Sequence, residues 1–144
     1  MATERQASVV WQGDLMNGSG TIAEVPSGAF GPLDVSWASR AEEPNGKTSP
    51  EELITAAWAS CFAMALSNGL AKSGNPPEKL ETSATVTFQP GHGIIKGALT
   101  VRGTVPGLDE AAFADAANVA KENCPVSKAL SGIPDISLDA SLAG

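Results

Sequence analysis

The sequence predicts an α+β fold in which mainly antiparallel sheets surround one long, buried central helix. Three observations carry that expectation. Two pairs of strand-like segments are each joined by a short turn signal, which is the pattern of a hairpin. A capped helix start at Ser49-Pro50-Glu51-Glu52 opens an uncharged stretch from Leu53 to Ala71. Strands and helices also come in blocks, without the strict alternation of a parallel sheet.

The elements follow in chain order. Ala7 to Gln12 reads as a first strand and Gly20 to Val25 as a second, with Gly13-Asp14 and Asn17-Gly18 as turn residues between them. Pro26 to Pro32 is loop-like, and Leu33 to Ala38 is a candidate third strand. Arg40 to Thr48 is a polar connector. Ser49 then suits an N-cap, Pro50 the first helical position, and Glu52 the third position of a capping box. The helix should run from Pro50 to about Lys72 and stop at Ser73-Gly74-Asn75-Pro76-Pro77. Past its first turn it is apolar on every face, so it should be central. Leu80 to Gln89 alternates, with Thr82, Ala84, Val86 and Phe88 on one face. Gly91-His92-Gly93 turns the chain into a partner strand, Ile94 to Val105. Asp109 to Glu122 is an amphipathic helix, Cys124-Pro125 breaks it, and Val126 to Leu130 is a short second helix. Ile136 to Leu142 closes the chain as a strand.

Composition narrows the chemistry. The chain has 144 residues, which suits one domain with a real core. Within it, 1–48 would form an N-terminal β part, and 49–144 the central helix and a C-terminal α+β part. Nine Lys and Arg against sixteen Asp and Glu leave a net charge of −7, and there is no basic tract to hold nucleic acid. One histidine and two cysteines rule out a His-rich cluster, a four-ligand Cys/His zinc site and an HExxH helix. No metal or cofactor is expected. Two cysteines 63 positions apart are too few for a disulfide scaffold. No basic segment followed by an apolar one opens the chain, so a cytoplasmic location with reduced thiols is the expectation. The uncharged stretch at 53–71 approaches spanning length, but it holds Thr55, Ser60, Ser67, Asn68, Gly69 and six alanines. It reads as a helix buried within protein, with no membrane partner.

Thiols, carboxylates and arginines remain as candidates. Cys61 lies twelve positions past the N-cap of the long helix. It is either a small packed residue or a reactive thiol, and the second needs a cation delivered from elsewhere. Cys124, just before Pro125, sits at a helix start that favours a thiolate, or else merely marks a corner between two helices. Local electrostatics alone makes Cys124 the more acidic thiol. Arg40 is either a solvated loop residue or a guanidinium that a carboxylate such as Glu51 could hold in a bidentate pair. His92, between two glycines, is an exposed turn residue with no catalytic part. Gly18-Ser19-Gly20 lacks the spacing of a phosphate loop.

These residues match a known pattern. Ser49-Pro50-Glu51-Glu52-Leu53 through Ala59-Ser60-Cys61-Phe62, followed by Cys124-Pro125-Val126-Ser127-Lys128-Ala129-Leu130, resembles the OsmC/Ohr family of organic hydroperoxide-reducing proteins. Trp11-Gln12-Gly13-Asp14 and Gly18-Ser19-Gly20-Thr21 are similar to that family's N-terminal hairpin, so the likeness covers nearly the whole chain. It implies a peroxidatic role for Cys61, a resolving role for Cys124, and a clamp for Glu51. The activating arginine lies in the hairpin in one branch and before the helix in the other. Asn17-Gly18-Ser19-Gly20 has no arginine, so Arg40 points to the OsmC branch. The resemblance further implies an intertwined homodimer, an organic hydroperoxide substrate, and reduction by a dithiol of lipoyl type or by a small thiol. Trp37, Leu53, Trp58 and Phe62 are candidate apolar surroundings for that substrate. Two other readings stand beside this one: a non-enzymatic, apolar-ligand-binding or structural dimer with packed cysteines, and a thiol transferase using Cys124.

Overall fold

The computed structural model describes residues 1–143. Its chain falls into two compact units, Met1–Leu53 and the segment from Ile54 onward.

In the N-terminal unit, β1 (Val9–Gln12), β2 (Ser19–Ile22) and β3 (Leu33–Val35) form an antiparallel sheet in that order. Trp11 pairs with Gly20, where a Cβ would stand 2.7 Å from the indole and 2.9 Å from Val35. Only glycine admits that approach. The turn between β1 and β2 is tied by Asp14, whose Oδ1 accepts from the Asn17 amide at 2.8 Å. The strands are shorter than expected. Val25 leaves the ladder because its amide closes a turn onto the Phe30 carbonyl at 3.0 Å.

The third strand also ends early, at Val35, and the segment expected to extend through Ala38 turns into a helix, α1 (Trp37–Ala41). Two serines three positions apart are the cause. The Ser36 hydroxyl accepts from the Ser39 amide, and the Ser39 hydroxyl accepts from the Ser36 amide, both at 3.0 Å. This reciprocal cap satisfies donors that the first turn would leave orphaned. Ser39 also donates to the Thr48 carbonyl at 2.9 Å, which draws the two ends of the connector together. Arg40 therefore sits on a helical turn and not in an open loop.

The long helix, α2 (Pro50–Lys72), has the expected limits. Ser49 Oγ accepts from the Glu52 amide at 3.1 Å, and Thr48 Oγ1 donates to the Glu52 carboxylate at 2.7 Å. Beyond Lys72, Gly74 at φ 94° lets the Asn75 amide return to the Leu70 carbonyl, as at many glycine-terminated helices.

In the C-terminal unit, β4 (Lys79–Gln89) and β5 (Gly93–Thr104) form a long antiparallel hairpin, and β6 (Asp135–Leu142) lies parallel to β5 at the edge of the same sheet. A parallel neighbour needs a crossover, and α3 (Glu110–Asn123) with α4 (Pro125–Ala129) supplies it. Asp109 caps α3 through the Ala112 amide at 2.8 Å. On α2, Trp58, Phe62, Leu66 and Leu70 recur every fourth residue and form one stripe. That stripe packs with Leu99 and Val101 of β5 and with Phe113, Ala117 and Ala120 of α3. Gly103 makes room for Phe113, since a Cβ there would meet the ring at 2.6 Å.

The long helix α2 is central, as expected. The helix is long and apolar enough to cross a membrane by length and composition, and it is indeed a core helix. From Ile54 onward the buried positions of α2 are Trp58, Phe62, Leu66 and Leu70. Met64 is 72% exposed, and Ala57 and Gly69 are exposed too. The sheet and α3 of the same unit pack on that stripe.

Candidate active site

Two pairs of candidate residues form, one in each unit. In the N-terminal unit, α1 presents Arg40 and the first turn of α2 presents Glu51. Arg40 Nε donates to Glu51 Oε1 at 3.0 Å and Oε2 at 3.2 Å, and Nη2 donates to Oε2 at 2.9 Å. The carboxylate is buried, its side chain 10% exposed against 34% for the arginine. Two parallel bonds hold the guanidinium plane as well as its position. The Ser36–Ser39 cap and the Ser39–Thr48 bond fix the helical turn that carries Arg40.

In the C-terminal unit, Cys61 on α2 meets Cys124, the residue between α3 and α4. Their sulfurs are 3.0 Å apart, and both are free thiols. Proline at the start of α4 ends the α3 ladder and turns the chain there, which aims Cys124 back at α2. The two thiols differ in access. Cys61 is half-buried, whereas Cys124 has no exposed surface.

They also differ in acidity. Burial pushes the Cys61 thiol up, and the hydrogen bond to Cys124 pushes it further against a smaller pull from the Val126 amide. Burial raises Cys124 too. Contact with Cys61, with the amide and hydroxyl of Ser127 and with the Val126 amide outweighs it, and Cys124 ends below the ordinary thiol value. The two thiols share one hydrogen bond, Cys124 Sγ donating to Cys61 Sγ at 3.0 Å.

Other candidates fall outside these pairs. Trp58 and Phe62 are fully buried core residues and offer no surface to a substrate. Trp37 and Leu53 are half-buried members of the N-terminal unit. His92 is exposed in its turn. Ser127, which the sequence shows only as part of the Cys124–Leu130 motif, accepts from the Trp58 indole N–H at 2.7 Å.

The family model described as OsmC-like protein matches residues 43–139, from the connector after α1 into β6. The chain belongs to the OsmC-like family. Peroxiredoxin OsmC of Escherichia coli is 37% identical over 99% of both chains. Organic hydroperoxide resistance protein OhrB of Bacillus subtilis is 30% identical over 74% of this chain and 79% of its own length. The crystal structure of an OsmC-like protein from Mycoplasma pneumoniae superposes with a TM-score of 0.75 over the full length of both chains at 14% identity, which shows the OsmC-like fold. Both sulfurs and the Arg40–Glu51 pair lie inside the stretch matched by the family model or within three residues of its start.

Proposed function

We propose that this chain is a thiol-dependent peroxidase that reduces organic hydroperoxides, and hydrogen peroxide less well, to alcohol or water. The observation that carries this reading is the approach of the two sulfurs to 3.0 Å from positions 63 residues apart. A disulfide needs about 2 Å between sulfurs, so closure asks only for a side-chain adjustment. Two cysteines that were merely packed would need no such alignment. The relatives named peroxiredoxin and organic hydroperoxide resistance protein support the same activity.

Access supports the roles we give the two thiols. A peroxide can reach half-buried Cys61 but not Cys124, which has no exposed surface. The Cys61 thiolate attacks one peroxide oxygen. An S–O bond forms, the O–O bond breaks, and the departing alkoxide takes a proton to leave as alcohol. Cys61 is then a sulfenic acid. The Cys124 thiolate attacks its sulfur, the S–O bond breaks, and hydroxide leaves as water on taking a proton. A dithiol of lipoyl type or a small thiol reduces the resulting disulfide by exchange.

Cys61 needs help to ionise, because burial and the neighbouring Cys124 both oppose its thiolate. Arg40 is the cation we assign to that task, and to the charge on the alkoxide. The bidentate grip of Glu51 supports this, since it holds the guanidinium in one orientation. The functional unit is a homodimer in the cytoplasm. The uncovered side of α2 around Met64, and Val9, Val10, Leu15 and Met16 in the N-terminal hairpin, are apolar surfaces that a second copy would cover.

A peroxide-consumption assay with an organic hydroperoxide and a dithiol tests the reading. The wild type should turn over, Cys61→Ser should be inactive, and Arg40→Ala should raise the Cys61 thiol by about a unit or more. Wild-type protein that leaves the hydroperoxide untouched would refute it. Light scattering checks the dimer.

A further inference from the structure

Two free thiols whose sulfurs stand 3.0 Å apart are a ligand pair as well as a redox pair. Their spacing discriminates among the centres that sulfur could hold. With a bond of about 2.3 Å to each sulfur, linear coordination separates the sulfurs by about 4.6 Å, tetrahedral coordination by about 3.8 Å, and a right-angled chelate by about 3.3 Å. The observed pair lies nearest the right-angled case. Ligand number points the same way. Among the described residues no group of three or more His, Cys, Asp or Glu side chains is placed to hold a metal ion, so zinc would lack the rest of its four ligands.

Trivalent arsenic meets both conditions. It is a soft centre that prefers sulfur, its bonds stand near a right angle to one another, and of its three ligands its own oxygen can supply one. We propose that Cys61 and Cys124, in their reduced form, are a chelating site for trivalent arsenicals, of which arsenite is the smallest. The inference stands on the geometry of the two sulfurs and does not depend on the peroxidase reading.

Binding is a ligand exchange with no change of oxidation state. At each thiol an As–S bond forms and an As–O bond of arsenous acid breaks, and the hydroxide leaves as water with the thiol proton. Two bonds to sulfur release two waters and leave one hydroxyl on arsenic. Access sets the order. Cys61 is half-buried and Cys124 has no exposed surface, so the first bond forms at Cys61. The second is internal, because the Cys124 sulfur already lies against that of Cys61. Making the second bond within one chain raises affinity by ~10²–10⁴-fold over a single bond. A chelated pair has no thiol left to form a disulfide.

The test incubates reduced full-length protein with inorganic arsenite at neutral pH without oxygen. Elemental analysis counts bound arsenic, and a chromogenic thiol reagent counts the thiols that remain free. Wild-type protein should bind one arsenic per chain and lose both thiols to the reagent, and an added small dithiol should release the arsenic and restore both. Cys124→Ser, which keeps only the accessible thiol, should bind at least ~100-fold more weakly. Cys61→Ser, which keeps only the buried one, should bind no arsenic. Wild-type binding no tighter than that of Cys124→Ser, or one thiol masked per arsenic, would overturn the chelate. The count of two thiols per arsenic is made on the wild type and does not depend on how either variant folds. A parallel titration with zinc should give no comparable gain over Cys124→Ser; an equal gain would show that the sulfurs part to a tetrahedral spacing and would overturn the right-angled site. No peroxide is present in these measurements. A wild type that fails to consume hydroperoxide would remove the peroxidase reading and leave the arsenical site decided on its own.

Discussion

Replacing Cys124 with serine separates the two halves of the proposed cycle. The sulfurs start 3.0 Å apart and must close by about 1 Å to reach the length of a disulfide. That proximity makes resolution an internal reaction. Well-oriented internal groups react at effective concentrations of ~10⁵ M and above; a value a thousandfold lower still leaves Cys124 ~10⁵-fold ahead of a millimolar external thiol. Wild-type protein given excess hydroperoxide should therefore stop at the disulfide. Cys124→Ser should complete its first turnover, then carry Cys61 from sulfenic to sulfinic acid, because nothing adjacent captures the intermediate. That first turnover should be no slower than wild type, since Cys124 opposes the Cys61 thiolate and its removal lowers the Cys61 thiol. Rapid quench with intact-mass analysis reads each species by its added oxygens, and dimedone traps the sulfenic acid. If Cys124→Ser abolishes the first turnover while Cys61→Ser retains it, the roles are reversed and access does not choose the nucleophile.

Three further outcomes follow from the same geometry. Gly97→Ala should destabilise the protein by about 1–3 kcal/mol, because its Cβ would stand 2.8 Å from the Trp58 ring; chemical denaturation measures this, and an unchanged midpoint would show that the indole is free to retreat. Glu51→Ala should cost about 1–2 kcal/mol in the same assay, a range held down by the partial exposure of Arg40 that screens the pair, and no loss would mean that the bidentate bond contributes nothing measurable. The stability of the reduced protein should also depend on pH through both thiols, with opposite signs. Cys124 lies below its unfolded value, so its contribution grows as pH rises through its folded value and is complete above the unfolded one. Cys61 lies above, so its contribution is complete below the unfolded value and is lost as pH rises through the folded one. The thiol-dependent part of stability should peak near the unfolded thiol value and vanish in the double serine variant; a monotonic profile would contradict the assigned directions.

Much of this protein was legible because its signals are local. Ser49 and Pro50 start α2 through bonds within one turn, and Gly74 stops it the same way. The alternation of Thr82 through Phe88 marks the inner face of β4 without reference to any other strand. Arg40 is legible as a candidate but its helical turn is not, since serine favours caps and loops alike and only the mutual bonds of Ser36 and Ser39 decide between them.

By itself the sequence determined the α+β class, the limits of the central helix, and a chemistry restricted to two thiols, carboxylates and arginines. Tertiary structure decided what those groups can do. It turned β6 parallel to β5, brought Cys124 to Cys61, closed Glu51 on Arg40, and hung Ser127 from the indole of Trp58. The physical reason is range. Helix caps, turn glycines and side-chain periodicity act over a few residues and can be read in order along the chain. Thiol acidity and access depend on burial and on partners 63 positions away, and those exist only once the chain has packed.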